Sequence, residues 1–206
     1  MLNLPLVQII FQIMAFLFAI SIHEYAHGAM ANSLGDPTAR YMGRLSLNPL
    51  RHLDLFGVLT LILSGFRFGW AKPVPINPSH FKNPKRGMMY TAAAGPFANL
   101  IAAVCFSITI RMLQYTPLAV SLYGFIFHSF LRYNVLLNVG LAIFNLVPIP
   151  PLDGSRILMS ILPARYAWRL REIDSYGPMI LILLLWSGIL FRFISPAYNL
   201  ITGLLL

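Results

Sequence analysis

The sequence predicts an all-α polytopic membrane protein. It has about four transmembrane helices, a short re-entrant or interfacial segment, and a small β-containing insert on the cytoplasmic side. Three observations carry that reading. Of 206 residues, 58% are hydrophobic and only 10% charged, with a mean hydropathy of +0.72; a soluble domain carries about 25% charged residues. Four apolar stretches reach the roughly 20 residues that a membrane-crossing helix needs. The basic residues gather in two of the stretches between them, the pattern that membrane topology imposes.

The four long stretches are Leu4–Leu34, Gly87–Leu113, Leu118–Val147 and Tyr176–Ile194. Leu53–Phe66 is shorter, about 14 residues, a length that suits a re-entrant or interfacial segment better than a crossing. It also holds Asp54 and two glycines, Gly57 and Gly65. Charge then orients the chain. Residues 35–86 carry Arg40, Arg44, Arg51, Arg67, Lys72, Lys82, Lys85 and Arg86, and residues 149–175 carry Arg156, Arg165, Arg169 and Arg171, together twelve of the 15 basic residues. Both groups share the cytoplasmic face only if 53–66 does not cross. The expected arrangement is therefore a single domain over 1–206, N-terminus outside, with 35–86 as an insert partly dipping into the membrane.

Within the insert, Thr38–Leu47 alternates β-favouring residues. Gly69–Pro78 (Gly-Trp-Ala-Lys-Pro-Val-Pro-Ile-Asn-Pro) is held extended by its prolines. A β-edge there would pair with an unfolded substrate strand; the plainer reading is a loop shaped by proline. Residues 1–22 have no basic leader and no small-residue cleavage site, so a removable signal peptide is not expected. The single cysteine, Cys105, excludes an intramolecular disulfide and a cysteine-based zinc site. The net charge of +9 sits in loops rather than on an aromatic-studded surface, which argues against nucleic acid as a partner.

The chemistry starts at His23-Glu24-Tyr25-Ala26-His27, an H-E-x-x-H pattern; no charged side chain precedes Glu24. On a helix the two histidines lie one turn apart on one face. One metal ion can take both imidazoles, with Glu24 beside them to handle a proton. Two buried histidines hydrogen-bonding neighbours are the plain alternative, but such groups are costly in a membrane helix unless they act.

A catalytic zinc takes three protein ligands and an open position. Candidates for the third are His52, His80, His128, Asp36, Asp54, Asp153, Glu172 and Asp174. Asp153 stands out. It lies in Asn145-Leu-Val-Pro-Ile-Pro-Pro-Leu-Asp-Gly154, where prolines break the third span at the depth of His23 and His27. Irregular backbone at membrane depth is tolerated where it lines a polar cavity. Asp153 as a cap for the helix that follows is the competing role.

Asn134, Asn138 and Asn145 point within about 40° of one another on a helix and form a polar stripe. Asn99 adds an amide in the second span. Interhelical hydrogen bonding accounts for Asn134 and Asn138. Asn145 and Asn99 are candidates to hold a substrate backbone near the metal, and the small run Ala92–Gly95 suits close helix packing. His52 and Asp54 read as loop-interface residues, with gating as the other option.

With these motifs in hand, the chain resembles the site-2 protease family, the intramembrane zinc metalloproteases of peptidase family M50. The elements that match are His23-Glu-x-x-His27, Gly95-Pro-x-x-Asn99 and Asn145-x-x-Pro-x-Pro-x-Leu-Asp-Gly154, in that order. Gly43–Pro49 and Ala71–Pro78 also resemble small bacterial members. The resemblance implies one Zn2+ per chain on His23, His27 and Asp153, Glu24 as general base, and Asn145 close to the reacting centre. It implies membrane-anchored protein substrates, a lipid bilayer setting, and a multi-pass bacterial inner-membrane protein with its active site toward the cytoplasm. No PDZ or CBS domain is expected, so the regulatory input that such domains give other members is missing or lies in a separate regulatory protein. The rivals are a metal-ion transporter or channel using the same His/Asp site, for which no repeated halves are visible, and an inactive scaffold.

Overall fold

The structure, a computed structural model, describes residues 4–63 and 70–206. The described residues are helical apart from turns and one extended segment. Helices α1 (Leu4–Ser33), α2 (Thr38–Tyr41) and α3 (Leu55–Leu63) precede α4 (Pro84–Leu113) and α5 (Leu122–Asn145). Then follow α6 (Asp153–Ile161), α7 (Ala164–Ile173), α8 (Gly177–Trp186) and α9 (Ile189–Leu205).

Three helices among the described residues, α1, α4 and α5, are long and apolar enough to cross a membrane. At 30 residues, α1 and α4 each extend about 45 Å, ample for a hydrocarbon core of about 30 Å. Small residues let these helices approach: Ala15, Ala19 and Ala31 on α1, Ala92, Gly95, Ala102 and Ala103 on α4, and Ala142 on α5 are buried. A cluster of Ala103, Ile110, Leu131, Val135 and Val139 joins α4 to α5, closed by Tyr198, Ile201 and Leu205 of α9. The opposite faces expose Ile9, Phe18, Phe97, Ile101 and Ile108, as lipid rather than water dictates. Local sequence sets the helix starts: Asn83 accepts from Arg86 N ahead of Pro84, and Ser121 Oγ accepts from Gly124 N.

The fourth predicted span, Tyr176–Ile194, is not one straight helix. It breaks at Ser187–Gly188 into α8 and α9, and the limb Arg165–Trp186 is bent by 75° from Ile189–Leu205. Gly188 takes the left-handed conformation, φ 72°, which ends α8 and is open to glycine without a Cβ penalty. At 10 residues, α8 is about 15 Å long and does not cross alone. Among the described residues the candidate crossings are thus three continuous helices, or four if the bent pair forms one span.

The insert also departs from expectation. The β-containing insert is not seen: the described residues hold a single antiparallel bridge, Leu53 to Ala71, and part of Thr38–Leu47 is the short helix α2. Pro73, Pro75 and Pro78 lack the N–H groups a ladder requires. Other groups hold the extended segment. Lys72 N donates to His52 O at 2.8 Å and Arg44 Nη2 donates to Lys72 O at 2.7 Å. Of 53–66, the helix α3 accounts for Leu55–Leu63, capped by Asp54, whose Oδ1 accepts from Gly57 N; nine residues reach only about 14 Å. Residues 64–69, and with them Arg67 and Gly69, lie outside the described residues.

Candidate metal centre

Helix periodicity puts His23 and His27 on the face of α1 that meets α4, and both are buried. Their rings lie 4.5 Å apart and nearly perpendicular. Helix α4 passes this close because residue 95 is glycine: a Cβ there would sit 2.5–2.7 Å from the two imidazoles. The third group comes from the other side of the site. After α5 ends at Asn145, the proline-rich turn brings Asp153, the first residue of α6, to the histidines. The turn is tight, since a Cβ on Gly154 would strike Leu146 O and Val147 O.

Asp153 Oδ2 lies 3.1 Å from His23 Nε2 and 3.2 Å from His27 Nε2, and the two Nε2 atoms are 3.0 Å apart. Among the described residues this is the one such group of potential metal ligands. The far side of each ring decides what the near side carries. His27 Nδ1 is 2.6 Å from Thr91 O, a carbonyl that can only accept, so Nδ1 holds the proton. His23 Nδ1–H donates to Asn99 Oδ1 at 2.6 Å. Neutral imidazoles with protonated Nδ1 present lone pairs at Nε2. Two lone pairs and a buried carboxylate oxygen without a hydrogen-bond donor therefore converge on one point.

That convergence is repulsive unless a proton or a metal cation sits between the three atoms. Ligand atoms about 2.0–2.1 Å from a tetrahedral zinc lie about 3.3 Å from each other, close to the separations here. Imidazole nitrogen and carboxylate oxygen are zinc donors. The residues fit the ion.

Glu24 lies beside the triad, half-buried, and its Oε2 accepts from Val74 N at 2.8 Å. Asn99 is fully engaged: besides His23, its Nδ2 donates to Ala19 O at 2.9 Å and to Asn138 Oδ1 at 2.8 Å. Asn145 is half-buried and donates to Leu141 O of its own helix. Among the described residues no hydrogen bond joins it to His23, Glu24, His27 or Asp153. Four of the remaining candidate ligands are used elsewhere. His52 Nε2–H donates to Ser46 O, His80 pairs with Asp36 at 2.8 Å, and Asp54 caps α3.

Asp36, just beyond α1, is fully buried. Burial pushes its carboxyl up. The Thr38 hydroxyl and His80, together with the backbone N–H groups of Asn77 and Thr38, outweigh that and hold it below the usual carboxylate range. This cluster ties residues 77–80 to the end of α1, and so anchors the segment that reaches Glu24. Sequence reasoning missed Thr91 and Val74, and read Ala92–Gly95 as close helix packing without placing the two histidines against Gly95. Thr91 and Val74 act through backbone atoms, which side-chain identity does not report; the Gly95 signal was visible as a small-residue run next to Pro96.

A sequence model of Peptidase family M50 matches residues 121–187. The chain is 35% identical over 181 residues to "Putative zinc metalloprotease YwhC" of Bacillus subtilis (strain 168), covering 87% of this chain and 82% of that protein. It is 28% identical over 190 residues to the similarly named Rip2 of Mycolicibacterium smegmatis, covering 91% of this chain and 68% of that one. Rip2 of Mycobacterium tuberculosis matches at 27% over 192 residues, with the same coverage. No solved structure matches the chain. A match of this extent, over a bundle that carries the His/His/Asp cluster, assigns the chain to peptidase family M50, the site-2 protease family of metalloproteases.

Proposed function

We propose that this protein is an intramembrane zinc metalloendopeptidase that hydrolyses peptide bonds in or next to transmembrane segments of membrane-anchored substrates, as in regulated intramembrane proteolysis. The observation that carries the reading is the meeting of His23 Nε2, His27 Nε2 and Asp153 Oδ2 within 3.2 Å, inside a bundle whose outer faces are apolar. These three residues would hold one Zn2+. When bound, the ion supplies Lewis acidity, lowering the pKa of a water toward about 7 and polarising the scissile carbonyl.

The chain's own residues do the rest. Asn99 and Thr91 O hold the two imidazoles with their lone pairs toward the site. Glu24 takes the proton of the attacking water and passes it to the leaving amine. The backbone N–H of Val74 keeps one Glu24 oxygen in place. A helical substrate hides its carbonyls in hydrogen bonds, so it unwinds locally before attack. Asn145, one helix break from Asp153, would meet the unwound segment. The basic residues of the insert and of α6–α7 favour a cytoplasmic side for the site, in a bacterial inner membrane.

Purified wild type and Glu24→Gln, compared for zinc content and for cleavage of a single-span substrate, test this reading. Equal zinc with cleavage lost in the variant is the expected result. Undiminished cleavage by Glu24→Gln sinks it, and metal flux into proteoliposomes without proteolysis would favour the transporter.

A further inference from the structure

Two backbone carbonyls face the outer nitrogens of the site, one directly and one at the end of a chain of amides. His27 Nδ1–H meets Thr91 O without an intermediary. His23 does not reach a carbonyl. Its Nδ1–H meets Asn99 Oδ1, and a side-chain amide can present either oxygen or nitrogen. If Asn99 turned over, its Nδ2 would face His23 Nδ1, and the imidazole would move its proton to Nε2. The lone pair would then leave the metal site.

Two contacts prevent that rotation. Asn99 Nδ2 donates to Ala19 O at 2.9 Å and to Asn138 Oδ1 at 2.8 Å. Ala19 O can only accept. Asn138 Oδ1 is itself held in place, because Asn138 Nδ2 donates to Asn134 O at 2.9 Å. The direction of every hydrogen bond therefore follows from the carbonyls at residues 19 and 134. Asn99 and Asn138 are fully buried, so a lost partner would leave a polar group out of contact with solvent.

From this, and resting on the zinc reading above, we propose that Asn99 and Asn138 are positioning residues for the metal. Asn138 fixes the amide orientation of Asn99, and Asn99 fixes the tautomer and direction of His23. Outer-shell partners of metal-bound histidine commonly change metal affinity by about 10–100-fold when removed. Asn134 supplies the control. It belongs to the same polar stripe and is equally buried, but its side chain donates only to Phe130 O of its own helix. The Asn134 backbone carbonyl that orients Asn138 survives a change of its side chain.

The experiment uses the full chain in detergent with Co2+ as the probe, reading the dissociation constant and the visible absorption bands, and the melting temperature of the metal-free protein. Asn99→Leu is expected to weaken Co2+ binding by about 10–100-fold and to change the bands. Asn138→Leu is expected to act in the same direction with a smaller effect, and Asn134→Leu to leave affinity and bands at the wild-type values. Wild-type affinity in Asn138→Leu overturns the relay, as does an equal loss in Asn134→Leu. Should Asn99→Leu fail to fold, 15N NMR of histidine-labelled, Zn2+-loaded wild type reads the tautomer directly. A proton on His23 Nδ1 supports the relay and a proton on Nε2 overturns it. Wild type that binds no Co2+ overturns the zinc reading and the relay with it; wild type that binds Co2+ while Asn138→Leu is unaffected overturns the relay alone.

Discussion

Val74 donates its backbone N–H to Glu24 Oε2 at 2.8 Å, so the insert and the first helix meet at the proposed general base. The contact is made by the one residue of Pro73-Val74-Pro75 that has an N–H. The Val74 side chain is buried near Gly28. One residue thus both seats the segment and orients the carboxylate.

Val74→Pro removes that donor and keeps an extended backbone. Its cleavage rate is expected to fall about 10-fold, a fraction of what a general base contributes, with zinc content unchanged. Val74→Ala keeps the N–H and serves as the packing control. Equal rates for the two variants would show that the hydrogen bond does nothing for Glu24.

Gly95→Ala places a methyl 2.5–2.7 Å from both imidazoles. The helices must part, at a cost of about 1–3 kcal/mol, and zinc content is expected to drop. Gly203→Ala in α9 meets nothing within 4 Å, and its melting temperature is expected to hold or rise, since alanine is the better helix former by about 1 kcal/mol. Zinc measured by mass spectrometry, with thermal melts in detergent, separates the two sites.

Asp153→Ala removes one of three proposed ligands. Chelation of wild type is expected to lower its melting temperature and added zinc to restore it, because an ion that binds only the folded state stabilises it by about 2.7 kcal/mol at a hundredfold excess over Kd. The variant is expected to contain little zinc and to melt at one temperature with or without chelator. A chelator response of wild-type size in Asp153→Ala would place the third ligand elsewhere.

The Asp36 carboxyl is held below the usual range, so it binds protons more readily unfolded than folded. Its contribution is present in full above the unfolded value of about 4 and fades as pH falls through the lower folded value. Asp36→Asn, which cannot accept from Asn77 N and His80 as the carboxylate does, is expected to cost about 1–3 kcal/mol at pH 7. The gap from wild type should narrow below about pH 4. Melting temperatures across pH 3–7 check the sign; a gap that widens on acidification contradicts it.

Much of the fold was legible in the chain. Hydropathy located α1, α4 and α5 to within a few residues, because a lipid-facing helix must be apolar over its length. The break at Gly188 was not, since a lone glycine inside an apolar run is also common in unbroken membrane helices. The insert misled because its prolines favour extended backbone yet lack the donors that pair strands. At the site, Asn99 was visible as a buried amide, but a residue type does not say whether an amide faces a substrate or a histidine.

What the sequence determined by itself is local: helix periodicity sets His23 and His27 on one face, and the prolines after Asn145 end the third span ahead of Asp153. Only the tertiary structure decided that Asp153, and not another acid, reaches both Nε2 atoms. It also decided that Asn99 and Thr91 O turn the lone pairs inward and that Val74 meets Glu24. The physical reason is that periodicity and chain breaks act over one or two helical turns. Which buried donor meets which buried acceptor depends on how the helices pack and on which partners packing leaves free.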